Sequence, residues 1–163
     1  MALDELRSRM GWTKVVSVVV LCGALVALGA TPSSGGDGPG LTGAWNVTIV
    51  LDNGTTLCTT PSLNTVDGGV VAQGCNVNVS PGYGQWRKIR DHQFAVTFVG
   101  VNFTTPGDGE INSTYKVRAT VRLSHDRQAF SGPFRTEVFS LDGTLLFSAS
   151  GNVTSQRIGI EPL

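Results

Sequence analysis

"GAWNVTIV", residues 43–50, decides the reading of this chain. Trp45, Val47, Ile49 and the following Leu51 alternate with Asn46 and Thr48. Period-two alternation describes a β-strand with one dry face and one wet face. The run stops at Asp52-Asn53-Gly54, residue types that suit a tight hairpin turn. An amphipathic strand cannot bury its dry face alone, so the rest of the chain must supply partners.

It supplies them in regular succession. "TTLCTTPSL" is followed by Asp67-Gly68-Gly69, "VVAQGCNVNV" by Ser80-Pro81-Gly82, and "GQWRKI" by Asp91-His92. "QFAVTFVGVNF" ends at Pro106-Gly107-Asp108-Gly109, and "EINSTYKVRATVRL" at Ser124-His125-Asp126-Arg127. "QAFSGPFRTEVFS" turns at Leu141-Asp142-Gly143, and "TLLFSASGNVTSQRI" ends the series. The pattern predicts eight strands joined by short hairpins, with little or no helix, because no window has a period near 3.6. The clearest case runs from Tyr115 to Leu123: Tyr115, Val117, Ala119, Val121 and Leu123 face one way, and Lys116, Arg118, Thr120 and Arg122 the other. The strand around Phe94, Val96 and Phe98 is apolar on both faces, since Ala95, Val99 and Val101 lie between. A loop or a partner subunit is expected to cover its outer side.

A flat eight-stranded sheet would leave two exposed edges and an uncovered apolar face. Closure removes both problems. The predicted fold is all-β: an eight-stranded antiparallel up-and-down barrel, whose interior has room for side chains or for one small ligand. A two-sheet sandwich would need long crossover connections that the hairpin spacing does not provide.

The first part of the chain reads differently. Arg7, Arg9 and Lys14 precede an apolar run from Val15 to Ala30, and Ala27 and Gly29 suit a cleavage site. Residues 1–29 are expected to be a signal peptide, with an uncleaved N-terminal anchor as the alternative. Residues 30–40, rich in Gly, Pro and Ser, read as a flexible linker, and 41–163 as the barrel domain. Of twelve acids and twelve bases, residues 1–29 hold two and three, leaving ten and nine and a formal charge of −1. That balance argues against nucleic acid as a partner and against a membrane beyond the signal segment. A secreted, periplasmic or cell-envelope location is expected.

Cys22 falls in the signal segment, leaving Cys58 and Cys75 as an expected disulfide in an oxidising compartment. His92 and His125 sit beside aspartates in predicted turns and are read as solvated, so neither a metal nor a cofactor is expected. Six Asn-x-Ser/Thr sequons occur, at Asn46, Asn53, Asn78, Asn102, Asn112 and Asn152. Two of these, Asn46 and Asn152, fall inside predicted strands, and a Thr-rich β-protein generates sequons by composition. A bacterial, unglycosylated protein is the expectation.

Gly43-Ala44-Trp45 on the first strand, with Arg157 near the end of the last, resembles the signature of lipocalin-like (calycin) barrels. The resemblance implies that Trp45 plugs the closed end and that Arg157 packs its guanidinium over the indole, as a structural pair. The chain departs from typical lipocalins in lacking a clear Asp-containing loop motif and a C-terminal helix. It is also similar to small exported barrels of the allene-oxide-cyclase-like type, in "SPGYGQW" and "FAVTFVGVNF".

Inward positions are expected to include Val47, Ile49, Phe94, Val96, Phe98, Tyr115, Val117, Val121, Phe130, Phe134 and Phe147. They could line an apolar cavity or fill the core, because five of them are phenylalanines. Tyr83 and Trp86 are expected to pack as a barrel-end plug, or else to gate a mouth. No nucleophile elbow and no inward pair of carboxylates is present; Glu110 and Glu137 are placed outward or in turns, within reach of Lys116 and Arg135. The expected function is binding of a small apolar molecule in the lumen, with a homodimer as a possible assembly. The alternatives are a cyclase or isomerase that shapes an apolar substrate, and a filled cell-envelope structural or interaction protein.

Overall fold

The structure, a computed structural model, describes residues 40–107 and 109–160, so the expected signal peptide and nearly all of the expected linker lie outside it. Eight strands follow one another: β1 (Gly43–Leu51), β2 (Thr56–Asn64), β3 (Gly69–Ala72), β4 (Gly82–Arg90), β5 (Gln93–Phe103), β6 (Ile111–Leu123), β7 (Ala129–Ser140) and β8 (Leu145–Arg157). Each pairs antiparallel with its sequence neighbours, and β1 pairs with β8 from Trp45↔Arg157 to Leu51↔Gly151, closing the barrel. There is no helix among the described residues. The up-and-down barrel expected from the strand pattern is the fold observed.

β3 is shorter than its apolar run suggests. The chain leaves the ladder at Gln73, whose N–H donates to the Pro61 carbonyl (3.0 Å), and Asn78 N–H turns back onto the Asn76 side chain (2.9 Å). Residues 73–81 then form the wall at the open end. They are held to β2 through Thr60 Oγ1, which donates to the Gln73 carbonyl, and to β5 through Ser80 and Val101. The Cys58–Cys75 disulfide fastens this segment to β2, with Cα atoms 5.7 Å apart. A cross-link over a 17-residue separation stabilises the fold by about 3 kcal/mol through the unfolded chain. It fits an oxidising compartment.

The other end is plugged. Leu41 and Trp45 are fully buried and pack with Phe94, Val121, Leu123 and Phe130. Trp45 Nε1 donates to the Leu41 carbonyl (2.7 Å), which also accepts Asn64 Nδ2 (3.2 Å). Trp86 lies edge-on to Phe94, with centroids 5.6 Å apart, and donates Nε1 to the Thr65 carbonyl (3.0 Å). Gly40, assigned to the linker by its composition, already packs against Trp86 and Phe94, where an added Cβ would lie 3.0–3.2 Å from their rings.

Three hairpin turns share one device. Thr65, Ser124 and Ser140 donate their hydroxyls to Asp67, Asp126 and Asp142, two residues on. Asp126 and Asp142 also accept the Gln128 and Thr144 N–H groups, at 3.1 and 3.0 Å. These hydroxyl bonds, with backbone bonds second, hold all three carboxyls below their usual 3.8. A depressed folded pKa adds stability that is complete above the unfolded value and lost as pH falls through the folded one. Acid titration followed by near-UV circular dichroism should therefore show the barrel loosening only below about pH 4. Asn in place of all three aspartates should flatten that acid limb.

Two outward-facing expectations need correction. The loop expected over the outer side of β5 is not found among the described residues: Val99, mid-strand, is 51% exposed, which leaves the partner subunit as the expected cover. It continues a row of exposed Leu63, Val71 and Tyr83 across β2, β3 and β4. Tyr83, expected at a barrel end, is 60% exposed in that row, because it directly follows the inward Gly82 and period two sends it outward.

Candidate functional site: the barrel lumen

Above the plug lies a cavity of about 260 Å³. Small-molecule sites usually occupy about 300–1,000 Å³, and a water takes only about 30 Å³, so the lumen is sized for one small molecule. Val47, Ile49, Val96, Phe98, Tyr115, Val117, Val121, Phe130 and Phe134, all expected inward, line it together. Two of the expected lining residues do not. Phe94 sits beneath the cavity in the plug, against Trp86. Phe147 has inward parity opposite Val138, but it lies beyond the last β1 partner of β8 and is 57% exposed at the open end.

The bulky side chains leave space because they lie along the wall. Tyr115 crosses its cross-strand partner Gly100, where a Cβ would come within 2.5 Å of the ring. Phe134 similarly covers Gly151, where a Cβ would lie 2.9 Å from the ring edge. Tyr115 Oη donates to the Ser80 carbonyl (2.8 Å), which ties the ring to the wall segment at the open end. Burial pushes the Tyr115 phenol above 10.0, partly opposed by its bond to Ser80, so it stays neutral across ordinary pH. Ala72 and Ala119, both lining residues, keep the middle of the lumen clear.

The lining is uneven. Six strands present Val, Ile, Ala or Phe, with Asn102 and Thr136 among them, but β2 turns Cys58, Thr60, Ser62 and Asn64 inward, opposite Ile49, Val47, Trp45 and Gly43. Its apolar residues Leu57 and Leu63 are more than 45% exposed, 53% and 49%, although Leu57 still borders the cavity. The inverted strand was missed because its own alternation is weak. The β1–β2 register, anchored on Trp45, could have placed Ser62 and Thr60 inward. No charged side chain borders the cavity.

The closing pair meets as the resemblance implies. The Arg157 guanidinium carbon lies 4.1 Å from the Trp45 ring centroid. Its Nη1 donates to the Thr42 carbonyl (2.7 Å) and its Nε to the Arg127 carbonyl (3.0 Å). Partial burial lowers its pKa from the usual arginine value, and the guanidinium stays charged. Gly43, at φ +129°, is the one residue type that fits there, since a Cβ would lie 2.2 Å from Arg157 Nη1. Gly-x-Trp and the arginine are thus one packing unit.

The barrel matches no family model, no curated protein and no solved structure. The lumen has to be read on its own chemistry. Among the described residues no three His, Cys, Asp or Glu side chains cluster as metal ligands would. His92 and His125 meet at the closed end, with rings 5.1 Å apart, far from the lining. Glu137 pairs with Arg118 and, at 3.3 Å, with Arg135.

Proposed function

We propose that this protein is an exported, lipocalin-like barrel that binds one small apolar molecule in its lumen. The observation that carries the reading is the 260 Å³ cavity, walled by aliphatic and aromatic side chains and without a charge. Burying an apolar molecule there gains roughly 25 cal/mol per Å² removed from water. The Trp45–Arg157 pair closing one end supports the lipocalin-like reading, and the disulfide supports export. Binding is favoured over cyclisation because Tyr115, the one titratable side chain in the lining, already donates its proton to a backbone carbonyl. A filled structural barrel would leave no such volume between its walls.

Native mass spectrometry of protein purified from its own host tests the reading. The expected spectrum contains a fraction of barrel carrying one small molecule, lost on mild activation. A bare mass only, in preparations that never met detergent or organic solvent, would count against tight binding.

A further inference from the structure

Resting on the ligand-binding reading, we infer that the lumen selects a neutral molecule with one hydroxyl group, an apolar alcohol, over the corresponding carboxylate. The selectivity comes from the polar stripe on β2. Thr60 Oγ1 donates to the Gln73 carbonyl (3.0 Å), Ser62 Oγ is directed at Asn64 Oδ1 (3.5 Å), and Asn64 Nδ2 is held by the Leu41 carbonyl. Across the lumen, Tyr115 Oη donates its hydrogen bond to the Ser80 carbonyl. The Thr60 and Tyr115 protons are therefore directed at wall carbonyls and that of Ser62 at the neighbouring Asn64, whereas the three oxygens keep acceptor lone pairs for the cavity.

A ligand hydroxyl matches Thr60 and Ser62, because it brings the donor that these two oxygens lack, their own protons being committed to Gln73 and Asn64. A carboxylate does not. It is acceptor-only, it would face oxygen lone pairs, and no Lys, Arg or His borders the cavity to pair with it. An unpaired buried charge is among the most expensive groups to place in a protein interior. The rest of the ligand lies against the Val, Ile and Phe of the opposite strands, which have no polar demand. The stripe thus orients the molecule, with its polar end at β2.

Calorimetric titration of the intact barrel with 1-octanol, methyl octyl ether and octanoate tests this. At pH 8 the alcohol is expected to bind about fivefold tighter than the ether, which accepts but cannot donate. It is expected to bind at least about 30-fold tighter than octanoate. Octanoate should tighten at least about tenfold between pH 8 and pH 5 as its carboxyl begins to protonate. Replacing Ser62→Ala together with Thr60→Val should weaken octanol about fivefold and leave the ether unchanged. Octanoate or ether binding as tightly as octanol at pH 8 would overturn the selectivity while leaving ligand binding intact. Failure of all three probes to bind would remove the ligand-binding reading itself.

Discussion

Trp45→Ala and Arg157→Ala are each expected to destabilise the barrel strongly, and the double mutant to cost clearly less than their sum. Trp45 is fully buried and packs on Phe130 at 4.9 Å, so its truncation empties the plug at a cost of about 3–5 kcal/mol. Arg157 contributes through its two bonds to carbonyls and its contact with the indole, for about 2–3 kcal/mol. Because each loses its contact with the other, the cycle should show a coupling of about 1–2 kcal/mol. Urea denaturation with unchanged m-values measures it. Additive losses would mean that the stacking contributes nothing. Where an alanine variant fails to fold, Trp45→Phe with Arg157→Lys gives the same cycle with smaller steps.

Ala119→Phe is expected to abolish ligand binding while leaving the barrel folded. Ala119 lines the middle of the lumen, opposite Phe134 on β7 and Val96 on β5. A phenyl ring there enters existing space and displaces no neighbour at the wall, so overpacking should stay below about 3 kcal/mol. The same ring removes the volume an octyl chain would occupy, and affinity should fall at least about 30-fold. Thr97→Phe, on the exposed outer face of β5, is the control and should leave affinity unchanged. Equal binding in Ala119→Phe and the original protein would place the ligand outside the lumen.

Much of the barrel was legible because its strands announce themselves. β6 alternates without exception from Tyr115 to Leu123, and the turns carry Asp, Asn and Gly where backbone reversal needs them. Gly43, Trp45 and Arg157 were legible as a unit only through their resemblance to a known signature; the structure supplies its physical cause, a guanidinium passing over a position without a Cβ. The lumen was harder. Counting phenylalanines cannot separate a filled barrel from a hollow one, because Phe134 and Tyr115 take their space from Gly151 and Gly100 on neighbouring strands. That compensation appears only once the register is known. The polar stripe was invisible for a similar reason: β2 faces its threonine, serine and asparagine inward, against the usual partition. β3 ends early where the chain turns at Asn76 and the disulfide fastens it to β2.

The crystal structure of the barrel grown with saturating 1-octanol tests the central claim most directly. The expected map shows one alcohol inside the lumen, its chain along Val47, Val117 and Phe134 and its hydroxyl within hydrogen-bonding distance of Thr60 or Ser62. An alcohol bound only on the outer row of Leu63, Val71, Tyr83 and Val99, with the lumen unchanged, would contradict it.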